Sequence, residues 1–345
     1  MSEKNERIRL KNVTSYCVAK EAGVSQSAVS RAYSPSGSIS KSTRRKVEIA
    51  AEKLGYKPNA IARSLISKTS NMIAIVMADI VNPFYPNVLD IFVRKLQERG
   101  HKGLLFMVDR DQDVDDVLPQ LMEYQVDGVV ITSATLSSEM ADRCMNMGTP
   151  VALFNRYVPA ARAISICCDD VGSARSVADF LYTSGARRMA FIAGVENTST
   201  SRDREFGFTA KVRELGLSPP IRAVGNYTYE GGYEAALSLF LLPQPPDAIF
   251  CANDLMALGA MDALRTKLNL SIPEQVSIVG FDDIDNAHWA NYGLTTVKPP
   301  VEKMVELTLE NLMNQVSHHD KPAHQASLPG ELIIRNSVRV PVGVA

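Results

Sequence analysis

The chain has no apolar run approaching the roughly 20 residues that a membrane-crossing helix needs. Its first ten residues, MSEKNERIRL, carry charges but no apolar stretch followed by small residues, so they do not read as a secretory signal. Its five cysteines, Cys17, Cys144, Cys167, Cys168 and Cys251, are an odd number and show no C-x-x-C spacing. That argues against a disulfide framework and for free thiols in a reducing cytoplasm. Missing too are G-x-G-x-x-G after a strand, G-x-x-x-x-G-K-[ST], G-x-S-x-G and H-E-x-x-H, and with them the usual marks of dinucleotide enzymes, nucleotidases, serine hydrolases and zinc proteases. No metal or cofactor is expected, and no catalytic residue is assigned. His318, His319 and His324 in SHHDKPAHQ read as a polar surface loop rather than a metal site. Cys167 and Cys168, at the end of an apolar run, read as structural rather than redox-active.

What is present is length, apolar content and a divided charge. With 345 residues and 46% hydrophobic content the chain can build two or three domains with sizeable cores. The formal net charge of -1 conceals an asymmetry. Residues 1–70 hold 14 Lys and Arg against 5 Asp and Glu, leaving 23 against 33 for the rest. A basic head on an acidic body points to a polyanionic partner for the head, since Lys and Arg that neutralise phosphates drive association with nucleic acid.

Within the head, SYCVAKEAGVSQSAVSRAY predicts two short helices. Val18, Ala19 and Ala22 share one face of the first, Gly23 supplies the left-handed residue that ends it, and Ser25 caps a second helix carrying Ala28, Val29 and Ala32. Ala19 lets the helices approach and Val24 plugs their corner. Gln26, Ser27, Ser30 and Arg31 stay outside, as in a helix-turn-helix whose second helix enters the major groove: Gln pairs with adenine, Arg with guanine, and Ser with bases or phosphates. An αα-hairpin of an ordinary helical domain has the same spacing. The third helix expected from about Ser42 to Leu54, with Gly55 at its end, completes a small DNA-binding unit instead. In YKPNAIARSLIS, Pro58 stops that helix and Asn59 can cap a segment from Ala60 to Leu65, too short to be stable unless DNA and a second copy hold it. Leu65 is placed to wedge between base steps from the minor groove.

The stretches VAKEAGVSQSAVSRA, LGYKPNAIARSL, NPFY, VDGVVI, CANDLMALGAM and IVGFDDI together resemble the LacI/GalR family of bacterial transcription regulators, in order along essentially the whole chain. The loop AYSPSGSIS is longer and more polar than the family's. The resemblance adds Thr14 to the DNA-contacting set and, in the hinge, Asn59, Ala62 and Arg63 beside Leu65.

From Met72 onward, MIAIVMA, GLLFMVD, DGVVITS and PVALF read as buried parallel strands alternating with helix-period segments, and RMAFIAG, IRAVGNY, DAIFCA and VSIVGFD form a second series. The fold class expected is an all-α helix-turn-helix head plus an α/β body of two doubly wound parallel-sheet lobes. The resemblance implies that the chain passes between the lobes several times, in a periplasmic-binding-protein-like fold. The domains expected are a DNA-binding head 1–57, a hinge and linker 58–70, and a body 71–345. Within the body the first lobe takes about 71–166 and 299–326, and the second about 167–298 and 327–341.

Ligands of such sheets bind beyond the strand ends. There stand Asp79, Asn155, Asn253 and Asp282, whose carboxylates and amides suit a polyhydroxylated ligand. Phe84 offers an aromatic face and Arg204 a guanidinium fork across two ligand oxygens. Arg202 either does the same or is solvated, and Asp254 reads as a helix cap. Trp289, the only tryptophan, is expected to border the cleft. These positions match the family's effector pocket, to which the resemblance adds Thr200. The implied partners are operator double-stranded DNA, a second copy of the chain, and a small effector that is a sugar, a sugar acid or a sugar phosphate. No leucine-heptad tail follows ELIIRNSVRVP, so a homodimer is expected rather than a tetramer.

Overall fold

A computed structural model describes residues 13–33, 38–57, 69–78, 80–108, 121, 123–132, 138–158, 163–196, 198–318 and 324–339. The chain divides into two compact units, 1–71 and 72–345.

In the first unit, α1 (Ser15–Ala22) ends at Gly23, whose φ of 65° lets its amide turn back onto the last carbonyls of the helix. The Ser25 side chain accepts a hydrogen bond from the Ala28 amide and starts α2 (Gln26–Ala32). Ser40, ahead of the expected start near Ser42, accepts from the Thr43 amide, so α3 begins at Lys41 and runs to Leu54. The apolar stripes meet in a core of Val18, Ala19, Val29, Ala32, Val47, Ala50 and Ala51, with Val24, Leu54 and Tyr56 around it. Val18, Val29 and Val47 are buried, and each such side chain stabilises the unit by roughly 1.5–3 kcal/mol.

The second unit contains two six-stranded sheets. In the first lobe β1 (Met72–Met77), β2 (Lys102–Met107), β3 (Gly128–Ile131), β4 (Val151–Phe154), β5 (Ile164–Cys168) and β11 (Gln325–Leu328) lie in the order β11-β5-β4-β3-β1-β2, every pair parallel. In the second lobe β6 (Met189–Ala193), β7 (Ile221–Val224), β8 (Ala248–Cys251), β9 (Ser277–Phe281), β10 (Thr295–Lys298) and β12 (Glu331–Ile333) lie in the order β12-β10-β9-β8-β6-β7, and only the β10–β12 pair is antiparallel. Both sheets are doubly wound, as the sequence predicts. Central strands such as β3, β6 and β9 are buried at every residue because helices cover both faces.

The helices are α4 (Phe84–Glu98), α5 (Ser138–Asn146), α6 (Asp170–Thr183), α7 (Ser199–Glu214), α8 (Tyr229–Phe240), α9 (Asp254–Leu268) and α10 (Val301–Ser317), with a short 3-10 turn at Asp285–His288. The chain passes between lobes three times: from β5 into α6, from β10 into α10, and from β11 into β12. The carboxyl ends of the parallel strands of each sheet therefore meet at the gap these passages span.

Candidate functional site

In the head, Gln26, Ser27 and Arg31 are exposed on α2, Ser30 is half-buried and Ser25 is the N-cap. Thr14 precedes α1, makes no side-chain cap bond, and has its Oγ1 3.5 Å from the Cys17 Sγ. The Gln26 amide donates to Ser15 Oγ at 3.1 Å, and Arg31 Nε donates to the Ser27 carbonyl at 3.2 Å. Tyr16 on α1 is exposed as well, and sequence reasoning misses it. Its hydroxyl is a donor of the kind phosphates accept, but helical periodicity reports only which residues are buried. The hinge candidates Asn59, Ala62, Arg63 and Leu65 lie outside the described residues, as does Asp79 in the body.

In the body, Arg204 on α7 is 2% exposed. Its Nε donates to Asp170 Oδ1 at 2.7 Å, its Nη1 to the Ala252 carbonyl at 2.6 Å, and Asp282 Oδ1 lies 3.7 Å from Nη1. The guanidinium sits 3.5 Å from the centroid of the Phe281 ring. Burial works against its charge, but Asp170 and Asp282 outweigh that and hold it protonated beyond the usual arginine range. Burial also pushes Asp170 up to about 6, with Arg204 opposing. Asp282 is raised well above the ordinary carboxylate range, by burial first, with Arg204 pulling it down and Asp254 and Asp170 pushing it up. The expected fork of Arg204 across two ligand oxygens is thus corrected: two of its nitrogens serve the protein, and Nη2 has no hydrogen-bond partner among the described residues.

Residues of both lobes gather around this pair. Asn82 hydrogen-bonds Asp282 across the gap. Tyr85 on α4 is buried, bonded to Arg156 and close enough to Asp282 and Tyr227 to feel their charges. Tyr157 donates its hydroxyl to Asp203 at 3.1 Å and its amide to Ser199 Oγ at 3.4 Å. Thr200 shares a 2.9 Å hydrogen bond with the Tyr227 hydroxyl. Asn155, which follows β4 with φ 59°, and Asn253, which follows β8, are almost fully buried. Among the described residues, four buried atoms in this set have no partner: Asn155 Oδ1, Arg156 Nε, Arg204 Nη2 and Asn253 Nδ2. A buried polar group left unpaired costs about 1–3 kcal/mol, and these are groups a hydroxylated ligand can satisfy.

Of the remaining sequence candidates, Phe84 is 3% exposed and packs edge-on to Tyr85 with ring centroids 5.3 Å apart, so its ring belongs to the core beneath the gap. Asn253, not Asp254, is the N-cap of α9: its Oδ1 accepts from the Met256 amide at 3.0 Å. Asp254 instead accepts from Thr296 and from the Ile284 amide. Trp289 does not join the buried set; it is 57% exposed on the turn after the 3-10 segment. Arg202 is exposed. Sequence reasoning also misses Asn82, Tyr85, Arg156, Tyr227 and Asp170. The first two stand inside the NPFY stretch that carries the resemblance. Arg156 and Tyr227 follow strands in turns whose left-handed residues, Asn155 and Tyr227, no periodicity reveals. Burial pushes the thiol of Cys168 up to about 12 and raises those of Cys167 and Cys251, so all three keep their protons at neutral pH. Among the described residues, no group of three or more His, Cys, Asp or Glu is arranged to hold a metal ion, and no helix is long and apolar enough to cross a membrane.

The family model described as bacterial regulatory proteins, lacI family, matches residues 16–59, and that described as periplasmic binding protein-like domain matches residues 178–338. The probable HTH-type transcriptional repressor ExuR of Bacillus subtilis (strain 168) is 30% identical over 334 residues, covering 95% of this chain and 98% of the relative. The HTH-type transcriptional repressor CytR of Escherichia coli (strain K12) is 29% identical over 327 residues, covering 93% and 95%. A crystal structure of the Lac repressor dimer bound to operator and the anti-inducer ONPF superposes with a TM-score of 0.85 at 25% identity, covering 95% of this chain and 99% of that one.

Proposed function

This chain belongs to the LacI family of bacterial regulatory proteins, and we propose that it is a homodimeric, ligand-responsive repressor of transcription acting in the bacterial cytoplasm. Two heads read a pseudo-palindromic operator through Gln26, Ser27, Ser30 and Arg31, with Thr14 and Ser25 on phosphates. Hinge residues Asn59, Ala62, Arg63 and Leu65 enter the minor groove between the half-sites. A small sugar-like effector binds between the lobes of the body and alters the separation of the two hinges. A coupling of about 1–3 kcal/mol between the two sites is enough for a useful switch, and it acts equally in both directions. The relatives are regulators rather than enzymes, and the same is proposed of this chain: its cleft binds without turnover.

The observation that carries this reading is the interlobe set itself. Asn155, Asn253 and Asp282 stand at strand ends of two lobes and Arg204 on α7 lies against Asp282, and three of the four have a buried polar atom lacking any partner among the described residues. Such a gap is completed by a ligand that supplies hydroxyl donors and acceptors. The experiment is a thermal-shift screen of sugars, sugar acids and sugar phosphates on the full chain, followed by titration of a duplex selected from random sequence with and without the stabilising compound. A compound present at 100 times its Kd stabilises by about 2.7 kcal/mol. No selected duplex preferred over random DNA, or no change of its affinity with the stabilising compound, defeats the proposal.

A further inference from the structure

The carboxylate of Asp282 reaches the gap from an unusual piece of backbone. After β9 the chain turns through two consecutive non-glycine residues with positive φ, Asp282 at 119° and Asp283 at 53°. Side chains with a Cβ rarely occupy such conformations, which cost about 1–3 kcal/mol each and persist only where the surroundings hold them. The surroundings here are built from behind. The Asp282 amide donates to the Val297 carbonyl at 2.8 Å, and the Ile284 amide to Asp254 Oδ2 at 2.9 Å. Asp254 fits so close to β9 only because residue 280 is glycine: a Cβ there would stand 2.1 Å from Asp254 Oδ1.

Between these two bonds lies Asp283, whose side chain is 3% exposed and is ringed by basic side chains. Arg335 Nη2 donates to its Oδ1 at 2.6 Å, His288 Nε2 lies 3.2 Å away, and Lys298 Nζ lies 3.6 Å from Oδ2. Arg335 is itself fixed at two other points: its Nη1 donates to the Leu294 carbonyl at 2.7 Å and its amide to Thr295 Oγ1 at 3.0 Å. It follows β12 by two residues, on the segment that has just made the third passage between the lobes.

We propose that Arg335 is a positioning residue of the effector site: by gripping the Asp283 carboxylate it holds the left-handed Asp282–Asp283 turn and so aims the Asp282 carboxylate at the gap, tying the third interlobe passage to ligand binding. This rests on the reading of the gap as the effector site. Released from Arg335, the turn relaxes toward negative φ, and Asp282 leaves both Arg204 and Asn82. The grip also makes Asp282 sensitive to the passage on which Arg335 rides.

The test uses the full chain with Arg335→Gln, Arg335→Lys, Asp283→Asn and the Arg335→Gln/Asp283→Asn pair. Amide hydrogen exchange at Ile284 needs no ligand, and it is expected to accelerate about tenfold or more in Arg335→Gln while α3 and β3 exchange as in the parent. Calorimetry with D-ribose, D-galactose and D-galacturonate reads the second consequence: for any of the three that binds the parent, Arg335→Gln weakens binding roughly 10–100-fold, the range typical of an outer partner that orients a ligating group. Asp283→Asn does the same, and the double variant loses no more than either single one. Arg335→Lys, which keeps the charge but not the fork, keeps part of the affinity and covers the case in which the Gln variant does not fold. Parent-like exchange at Ile284 in Arg335→Gln overturns the inference, with or without a binding sugar, as do additive losses in the double variant. Unchanged sugar affinity in an Asp282→Asn variant is a different failure: it removes the gap as effector site, while the exchange result still judges the grip of Arg335 on the turn.

Discussion

Tyr157, just past β4 in the first lobe, donates its hydroxyl to Asp203 on α7 of the second at 3.1 Å. This pairing lies beside a cavity of about 270 Å³ that also touches the first and third interlobe passages through Cys167, Asp169, Gln325 and Ser327. Burial raises the Tyr157 hydroxyl first and Asp203 further, so the phenol keeps its proton at neutral pH and remains the donor. The bond exists only while the lobes are together, so its free energy belongs to the closed form. Removing the hydroxyl with Tyr157→Phe is expected to weaken effector binding about 5-fold, the equivalent of roughly 1 kcal/mol for one such bond. Calorimetric titration of parent and variant with a stabilising sugar checks this, and equal affinities dismiss the pairing as a closure bond.

Arg204 is expected to be costly to replace for a reason that its place in SRDREFGF does not disclose. Because Asp170 and Asp282 lie against it in a buried setting, Arg204→Met strands two carboxylates without a counter-charge. Breaking a buried pair from one side costs about 3–5 kcal/mol. Urea unfolding of the body is expected to shift by that amount toward instability, and any effector response is lost with the Nη2 donor. A variant as stable as the parent contradicts the network as described.

The head and the two sheets are legible in the sequence because their signals are local and repetitive. Ala, Val and Leu recur at helical spacing, and unbroken apolar runs occur where strands are buried on both faces. The family resemblance supplies Asn155, Arg204, Asn253 and Asp282, but not their geometry. That Arg204 spends two nitrogens on the protein depends on Asp170 and the Ala252 carbonyl, 34 and 48 residues away. Pattern reasoning carries no information on such separations. Trp289 follows Asp282 closely in sequence but is 57% exposed, because closeness along the chain says nothing of burial. Tyr227 escapes notice because nothing in GNYTY marks a tyrosine with φ 60°.

Buried carboxylates give the body a definite pH signature. Burial is the leading cause for both Asp254, pushed up to about 7, and Asp170, pushed up to about 6. Their folded values lie above the unfolded ones, so the folded state binds more protons. Their contribution is fully present below about pH 4, the ordinary aspartate range, and is lost as pH rises through 6 to 7. Asp254→Asn removes one such group. The stability of the variant relative to the parent is therefore expected to improve between pH 5 and pH 8, by about 1–3 kcal/mol, even though the variant loses one acceptor for Thr296 or Ile284. Denaturant titrations of both proteins at the two pH values supply the comparison, and a pH-independent difference rules out Asp254 as the titrating group.

The head carries a prediction that separates reading from clinging. Arg31 is exposed on α2 and uses its Nε on the Ser27 carbonyl, which orients the rest of the fork outward along the helix. A guanine edge accepts two hydrogen bonds from such a fork, at about 1–3 kcal/mol of discrimination, whereas a phosphate accepts a charge without regard to sequence. If Arg31 reads a base, Arg31→Ala weakens binding to a selected operator by that amount, relaxes the preference at one symmetric pair of positions, and barely alters affinity for random DNA. If it only neutralises a phosphate, both affinities fall together and the slope of log affinity against log salt drops by about one unit for each phosphate no longer neutralised. Measuring operator and random duplexes at several salt concentrations distinguishes the two. Equal weakening on both duplexes would remove Arg31 from the reading set and leave Gln26, already tethered to Ser15 at 3.1 Å in the free head, as the side chain on which specificity has to rest.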